Sequence, residues 1–452
     1  MRDRRLLVAF VAAALACRPA VPAPEPVVRP IPAPARPPST RPTPPTRGAE
    51  LPPASSAPTA AVRDVGDVTI RVLLSSAADE ARVGSPDGVI FTRADGSTLA
   101  RAHDGESWRI ERRGHSVRAI RPDGMPTAWV DDAIVANPIG SGLVAVGGKP
   151  YRGTLSFSAG THGLDVVNAV QLDDYLRGVV PLEIGTDEPR DSAAVQAQAV
   201  AARSYAYTQM RDDPHIVYDL TSGTLDQVYG GVAAETAVAS EAVESTRTLV
   251  LNYAGRVVTA PYHSTCGGET AAASELWQAD DAPYLRSVSD RIPGTNRYYC
   301  DIAPRFRWTR TLSGSELNAA VARYLAKYAT VPGGKTGTVR DVTIGSHTAS
   351  GRVGTVTITT TRGNFVLRGN SARYVLRQPG GEILNSTDFS VETSARRDGS
   401  LARIVLHGHG YGHGVGMCQW GAIGRARAGQ DFMTILSTYY PGTTIGPAGA
   451  TR

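Results

Sequence analysis

Residues 172–209, LDDYLRGVVPLEIGTDEPRDSAAVQAQAVAARSYAYTQ, decide the fold class. Leu172, Leu176 and Val179 recur at helical spacing. Asp173 and Asp174 fall in the first turn of that helix, where the backbone dipole favours negative charge. Gly178 and Pro181 then loosen and stop it, leaving PLEIGTDEPRDS as a loop. From Asp191 or Ser192, either of which can cap, an alanine-rich run predicts a second, strong helix. Its small side chains permit close packing against whatever lies over it.

Outward from this pair the period changes from helical to alternating. Upstream, GDVTIRVLLSS (66–76), GVIFTRADGSTLARA (88–102), SWRIERRGHSVRAIRP (107–122) and GLVAVGGKPYRGTLSFSAG (142–160) are β-branched runs broken by Asp-Gly and Gly-Gly, the marks of hairpins. LDVVNAV (164–170) is a further strand. Downstream, a helix at 234–246 leads to the hairpin TLVLNYAGRVVTAPY (248–262). Residues 305–400 alternate again around a short helix at 315–327. The C-terminal part holds a Gly/His loop, a helix, and a second helix from Asp431 to Tyr440 ended by Pro-Gly. The expected class is α+β: antiparallel, β-rich sheets around a small helical core. There is no internal repeat, and no boundary is visible within 67–446.

The chain has 452 residues, 42% hydrophobic and 20% charged, which excludes disorder along its whole length. Net charge is 47 basic minus 42 acidic, or +5. Residues 1–66 carry 9 Arg and 4 Asp or Glu, so the remainder is neutral at 38 against 38. Bulk charge therefore gives no sign of a polyanion or nucleic-acid partner.

The N-terminus reads as an address. MRDRR is basic, and LLVAFVAAALA is too short to span a bilayer at 1.5 Å per residue. Residues 1–17 read as a secretory signal peptide. Cys17 directly follows Ala-Leu-Ala, as in a bacterial lipobox, and is the expected lipidation site. Residues 18–61, a third of them Pro, form an extended, semi-rigid tether. The expected location is the cell envelope, on the periplasmic side. Arg18 after Cys17 favours an outer-membrane anchor.

A sugar-cleaving enzyme needs a proton donor at the leaving oxygen, and a carboxyl among apolar neighbours can hold its proton towards neutral pH. Glu183, between Val179-Val180-Pro181-Leu182 and Ile184-Gly185, is the candidate. His407, His409 and His413 lie in HGHGYGH, whose glycines argue against a zinc-binding helix and suit a ligand-lining loop, a structural turn or a metal site. Cys266 and Cys300 can form a disulfide in an oxidising envelope, stay free, or join His263 and Cys418 around zinc. Cys418 itself reads as a small buried residue.

Several motifs together resemble one family. NAVQLDDYLRGVVPLEIG (168–185), AVQAQAVAARSYAY (194–207), QVYGG (227–231), YHSTCGGET (262–270), PYLRSVSD (283–290) and GHGYGHGVGMCQWGA (408–422) look like the SpoIID/LytB family of sporulation and amidase-enhancer proteins. The resemblance spans 62–446, taken as one peptidoglycan-binding and catalytic domain. It implies lytic transglycosylase activity on glycan strands stripped of stem peptides, with Glu183 of GVVPLEI as the acid. Leu182 and Ile184 replace the commonest Ser and Met of that motif. The resemblance also implies a cleft lined by Gln198, Arg203, Gln227, Tyr229, His263, Ser264, His413 and Gln419. No cofactor is expected, apart from a possible zinc near His263 and Cys266. Expected partners are peptidoglycan, an N-acetylmuramoyl-L-alanine amidase and the membrane through the anchor. The alternative is a non-catalytic glycan-binding amidase enhancer.

Overall fold

Alternation at the N-terminal end produces two facing sheets. The computed structural model describes residues 65–213, 215–277 and 282–449; the expected signal peptide with Cys17 and the expected Pro-rich tether lie outside them. One sheet has seven strands, in the order Leu220–Thr221, Thr69–Ser75, Leu164–Gln171, Thr154–Ala159, Ala133–Pro138, Val89–Arg93 and Thr98–Ala102. All its pairings are antiparallel except Thr69–Ser75 with Leu220–Thr221. The second is an antiparallel five-stranded sheet, in the order Ser116–Ile120, Ser107–Arg113, Glu80–Gly84, Leu143–Val146 and Lys149–Arg152. Gly147 and Gly148 turn the last hairpin with φ of 57° and 79°, the pair of positive values that matches the twist of the strands. Inward residues of both sheets, among them Val83, Ile110, Val144, Phe91, Ile134 and Phe157, share one core. Phe91 and Trp108 meet in it at 5.1 Å between ring centroids.

A helical layer follows: α1 (Leu172–Ile184), α2 (Ser192–Gln209), α3 (Ala237–Ser245) and the short α4 (Ala273–Trp277). The alanine-rich α2 is buried nearly all round, as expected of a helix without a polar face. It packs against α1 and α3 and, from the C-terminal end, α7 (Gln419–Arg427) and α8 (Phe432–Tyr439). Asp191 stands at the N-cap of α2 but makes no cap hydrogen bond. Its carboxylate instead takes Arg427 at 2.7 and 2.8 Å and the Thr186 hydroxyl at 2.7 Å, tying α2 to α7.

Between α4 and α7 stand α5 (Gly314–Tyr324) and α6 (Ser371–Val375) with two three-stranded antiparallel sheets. Leu401–His409 is the middle strand of one sheet and Val353–Thr360 of the other. Ser313 and Glu316 cap α5 reciprocally. These elements bury their own cluster, including Leu317, Val321, Val342, Ile358, Leu367 and Leu406. With the cluster that the helical layer buries, including Leu176, Val200, Val243 and Ile435, three hydrophobic clusters among the described residues divide a stretch in which the sequence shows no boundary. The α+β class stands, with 26% helix and 35% strand. Among the described residues no helix is long and apolar enough to cross a membrane.

Candidate active site

Glu183 sits in the last turn of α1, not on an exit loop. Pro181 lies inside the helix, and the chain leaves it only at Gly185, which adopts φ 65° and returns its N–H to the Pro181 carbonyl. Pro181 costs one backbone donor near a helix end, which the fold tolerates. Gly178 has a different task from the expected loosening. A Cβ there would lie 2.7 Å from the Tyr229 ring and 2.9 Å from the Gly231 carbonyl. The bare backbone lets the QVYGG segment lie on α1, where Gly230 N–H bonds the Gly178 carbonyl at 3.1 Å. That contact brings Val228 N–H to Glu183 Oε1 at 2.7 Å.

Around the carboxyl stands a largely buried polar frame. Tyr175 donates to Gln227 Oε1 at 3.1 Å, and Gln227 Nε2 donates to the Tyr262 hydroxyl at 2.9 Å and the Ala202 carbonyl at 3.3 Å. Tyr205 donates to Asp226 at 3.4 Å. The Asp226 carboxylate also takes the N–H and hydroxyl of Thr221 at 2.8 and 2.7 Å. Burial raises the Glu183 pKa above the ordinary carboxyl value, and the bonds from Val228 and Gln419 only partly offset it. The group therefore keeps a proton to higher pH than a solvated glutamate, with one oxygen occupied by Val228.

The other expected cleft residues divide into two sets. Gln419, the buried first residue of α7, touches Glu183 and donates to Gln198 Oε1 at 3.3 Å. Gln198 and Gln227 are wholly buried, and Gln227 supports the carboxyl through its neighbour Val228. Arg203, expected to line the cleft, is completely buried and structural. Its guanidinium holds Asp173 at 2.8 Å and the carbonyls of Thr246, Val243 and Leu249 at 2.9, 3.0 and 3.2 Å. Tyr229 is buried and donates to Asn168 at 2.9 Å. Ser264 is half-buried, and its carbonyl receives Trp420 N–H at 3.0 Å. Sequence reasoning missed the Val228 amide and the Tyr262 hydroxyl. Backbone donors leave no residue-type signal, and Tyr262 is signalled only by its place beside His263.

His413 and His263 are tied to the backbone of the neighbouring segments. His413 Nε2 meets the Tyr262 carbonyl at 2.8 Å while Nδ1 accepts Val415 N–H at 3.1 Å, so both ring nitrogens are used. His263 Nδ1 faces the Val415 carbonyl at 3.2 Å. Burial holds His413 well below its usual pKa, with His263, Arg373 and Arg352 pushing the same way. Burial, with Arg352 and Arg373, holds His263 at about 3. Unfolding releases both rings to the ordinary value of 6.5. The stability they confer by staying neutral is therefore complete above about pH 6.5 and is lost as pH falls. For His263 the expected slope is about 1.4 kcal/mol per pH unit below that value. Denaturation midpoints across pH 4–7 should show it, and His263→Gln should flatten the profile.

His407 and His409, expected in a loop, lie on the strand Leu401–His409. They line a depression of 420 Å³ with Arg307, Trp308 and Thr309, which shares no residue with the surroundings of Glu183. The loop that follows has positive φ at Gly410, Gly412, Gly414 and Gly416, so it is not helical. At Gly416 a Cβ would fall 2.0 Å from the Pro261 carbonyl. This close approach allows Tyr262–His263 to pair in parallel with Met417–Cys418.

Cys266, Cys300 and Cys418 are free and buried, with 3.4 Å between the sulfurs of Cys266 and Cys300 and no bond joining them. Asp290 completes a group of four whose ligand atoms lie within 4.8 Å of one another. His263 is not part of it.

The fold combines a β-sandwich with an alanine-rich helical layer, and at the end of α1 a carboxyl is held by the Val228 amide and Gln419 beside a Gln/Tyr frame. The stage II sporulation protein (SpoIID) family profile matches residues 160–253, which carry Glu183, Tyr175, Gln227 and Val228 but not Tyr262 or Gln419. A second profile, described as a domain of unknown function, matches 295–416 and coincides with the third hydrophobic cluster. An uncharacterized protein of Brachyspira hyodysenteriae (strain ATCC 49526 / WA1) is 33% identical over 299 residues, 66% of this chain and 73% of that one. The amidase enhancer of Bacillus subtilis (strain 168) is 28% identical over 374 residues, covering 74% of this chain but only 48% of its own length. Stage II sporulation protein D of the same strain is 29% identical over 300 residues, 63% of this chain and 77% of that one. The chain belongs to the stage II sporulation protein D family.

Proposed function

We propose that this protein is a lytic transglycosylase that cuts peptide-free peptidoglycan strands, with Glu183 as acid and then base. The observation that carries the reading is a carboxyl at the end of α1, fixed by the Val228 N–H at 2.7 Å, whose burial moves its pKa above the ordinary carboxyl value. In the first step Glu183 gives that proton to the glycosidic oxygen as the C1–O bond breaks. The C6 hydroxyl of the same sugar then attacks C1, and the Glu183 carboxylate takes the hydroxyl proton. The product is a 1,6-anhydro end, and no water is consumed. A single carboxyl suffices, unlike the paired acids of glycoside hydrolases. The neutral folded part, 38 basic against 38 acidic residues, suits a glycan without charged stem peptides. An amidase acting first would supply such strands.

A second reading, a glycan-binding amidase enhancer without cleavage, is favoured by the 374-residue match to the protein of that name. Exposed Leu182 beside Glu183 also favours it. Incubation of the purified protein with denuded and with peptide-bearing strands separates the two. The transglycosylase reading expects anhydro-ended fragments from denuded strands alone. Binding with no fragments, together with acceleration of an added amidase, would replace it with the second reading.

The same proposal places the protein on the periplasmic face of the envelope through Cys17. Cys17→Ala should move essentially all of it from the membrane pellet to the soluble fraction. An unchanged pellet would remove the lipid anchor from the account.

A further inference from the structure

The four-residue group formed by Cys266, Asp290, Cys300 and Cys418 is unused by the proposed chemistry and stands independently of it. All four residues are wholly buried. They come from three distant parts of the chain: the HSTC loop, the segment from Asp290 to the turn Tyr299–Ile302, and the N-terminus of α7. We infer that they form a structural zinc site with three thiolate ligands and one carboxylate ligand.

The geometry is the first argument. Cys266 Sγ lies 3.4 Å from Cys300 Sγ and 3.8 Å from Asp290 Oδ2. Around a tetrahedral zinc ion with Zn–S of about 2.3 Å and Zn–O of about 2.0 Å, neighbouring ligand atoms are about 3.5–3.8 Å apart. All four ligand atoms here fall within 4.8 Å of one another, so a small inward movement closes the set.

The second argument is what surrounds the ligands. Cys418 Sγ receives the N–H groups of Cys266 and Gly421, both at 3.2 Å, and Cys266 Sγ receives Gly268 N–H at 3.4 Å. Amide donors aimed at sulfur favour thiolates. Asp290 Oδ1 is held by Arg425 Nη2 at 3.1 Å, Arg425 Nε at 3.2 Å and the Tyr439 hydroxyl at 2.7 Å. That leaves Oδ2 facing the sulfurs, with Cys300 N–H at 3.0 Å. Ligands oriented by a surrounding layer of hydrogen bonds are the rule at metal sites. On binding, three thiols release three protons, and the zinc with three thiolates and one carboxylate carries −2. Arg425 and the N-terminus of α7 face that charge. Soft sulfur donors in a closed, dry site select zinc over magnesium or calcium.

His263 is left out. Its Nδ1 is committed to Val415, and its Nε2, buried without a hydrogen-bond partner, is not among the ligand atoms that lie within 4.8 Å of one another. The site would pin Cys418, and so Gln419 beside it, against the frame of Glu183.

The full-length protein, purified without reductant or chelator and dialysed, should contain one zinc per chain by elemental analysis. Cobalt exchange should give thiolate-to-cobalt charge-transfer absorption and the visible bands of a tetrahedral ion. Cys300→Ser and Cys418→Ser should lose the metal. Should they fail to fold, two milder changes still decide: Asp290→Cys should keep one equivalent with a stronger charge-transfer band, and His263→Gln should keep it unchanged. Zinc below a tenth of an equivalent, with a Cys266–Cys300 disulfide in the unreduced peptides, would overturn the assignment. So would loss of zinc on replacing His263 alone.

Discussion

Glu183→Gln should lower the release of anhydro-ended fragments by about 10²–10⁴-fold while leaving glycan binding intact. Glutamine keeps an oxygen for the Val228 N–H at the place where Oε1 now accepts it at 2.7 Å, but has no proton to give. The rate of the wild type should fall as pH rises through the elevated pKa of Glu183, because the protonated form is the acid. The same elevation has a stability consequence. The folded chain binds this proton more tightly than the unfolded chain, so the contribution is complete below the ordinary value of 4.5 and is lost as pH rises through the folded one. Glu183→Gln should therefore be at least as stable as the wild type at neutral pH, and this would show in denaturant midpoints. A variant that is inactive and also much less stable would mean that the carboxyl is structural.

Arg203→Met should cause the largest loss of stability of any single change considered, about 3–5 kcal/mol. Arg203 has no exposed side-chain surface, and the Asp173 side chain beside it is 13% exposed. Its loss leaves that carboxylate and the carbonyls of Val243, Thr246 and Leu249 without their donor. Domains are stable by about 5–15 kcal/mol in total, so the loss threatens folding itself. Arg203→Lys should also lose much of it, because an ammonium cannot reproduce the guanidinium fork. Thermal unfolding checks this, and the folded fraction should bind glycan normally. Weakened binding with unchanged stability would instead put Arg203 in the cleft.

These two residues show how differently burial is written in a sequence. The motif resemblance singles out Glu183, and apolar Val179, Val180 and Ile184 around it foretell the burial of its carboxyl. The place of Glu183 in the helix was not legible, because Pro181 falls late enough in α1 for Gly185 to end it instead. Arg203 was placed in the cleft by its match to the AQAVAAR motif, and nothing in the alanine-rich helix marks an arginine as internal. Its partners at 243–249 reach it only after α3 turns back. The N-terminal hairpins were legible because Asp-Gly and Gly-Gly pairs fix turns locally. The three hydrophobic clusters were not, since each forms by contacts across long stretches of chain. The cysteine group is the extreme case: Cys266 and Cys418 are 152 residues apart and meet only because two short strands pair in parallel. Asp290 carried no signal beyond its position at the end of PYLRSVSD.

The most direct measurement is cleavage of denuded glycan in isotopically labelled water, with the new ends read by mass spectrometry. Ring closure by the substrate's own C6 hydroxyl predicts anhydro ends that carry no label. Labelled reducing ends would show that water, and not the sugar, attacks the bond beside Glu183.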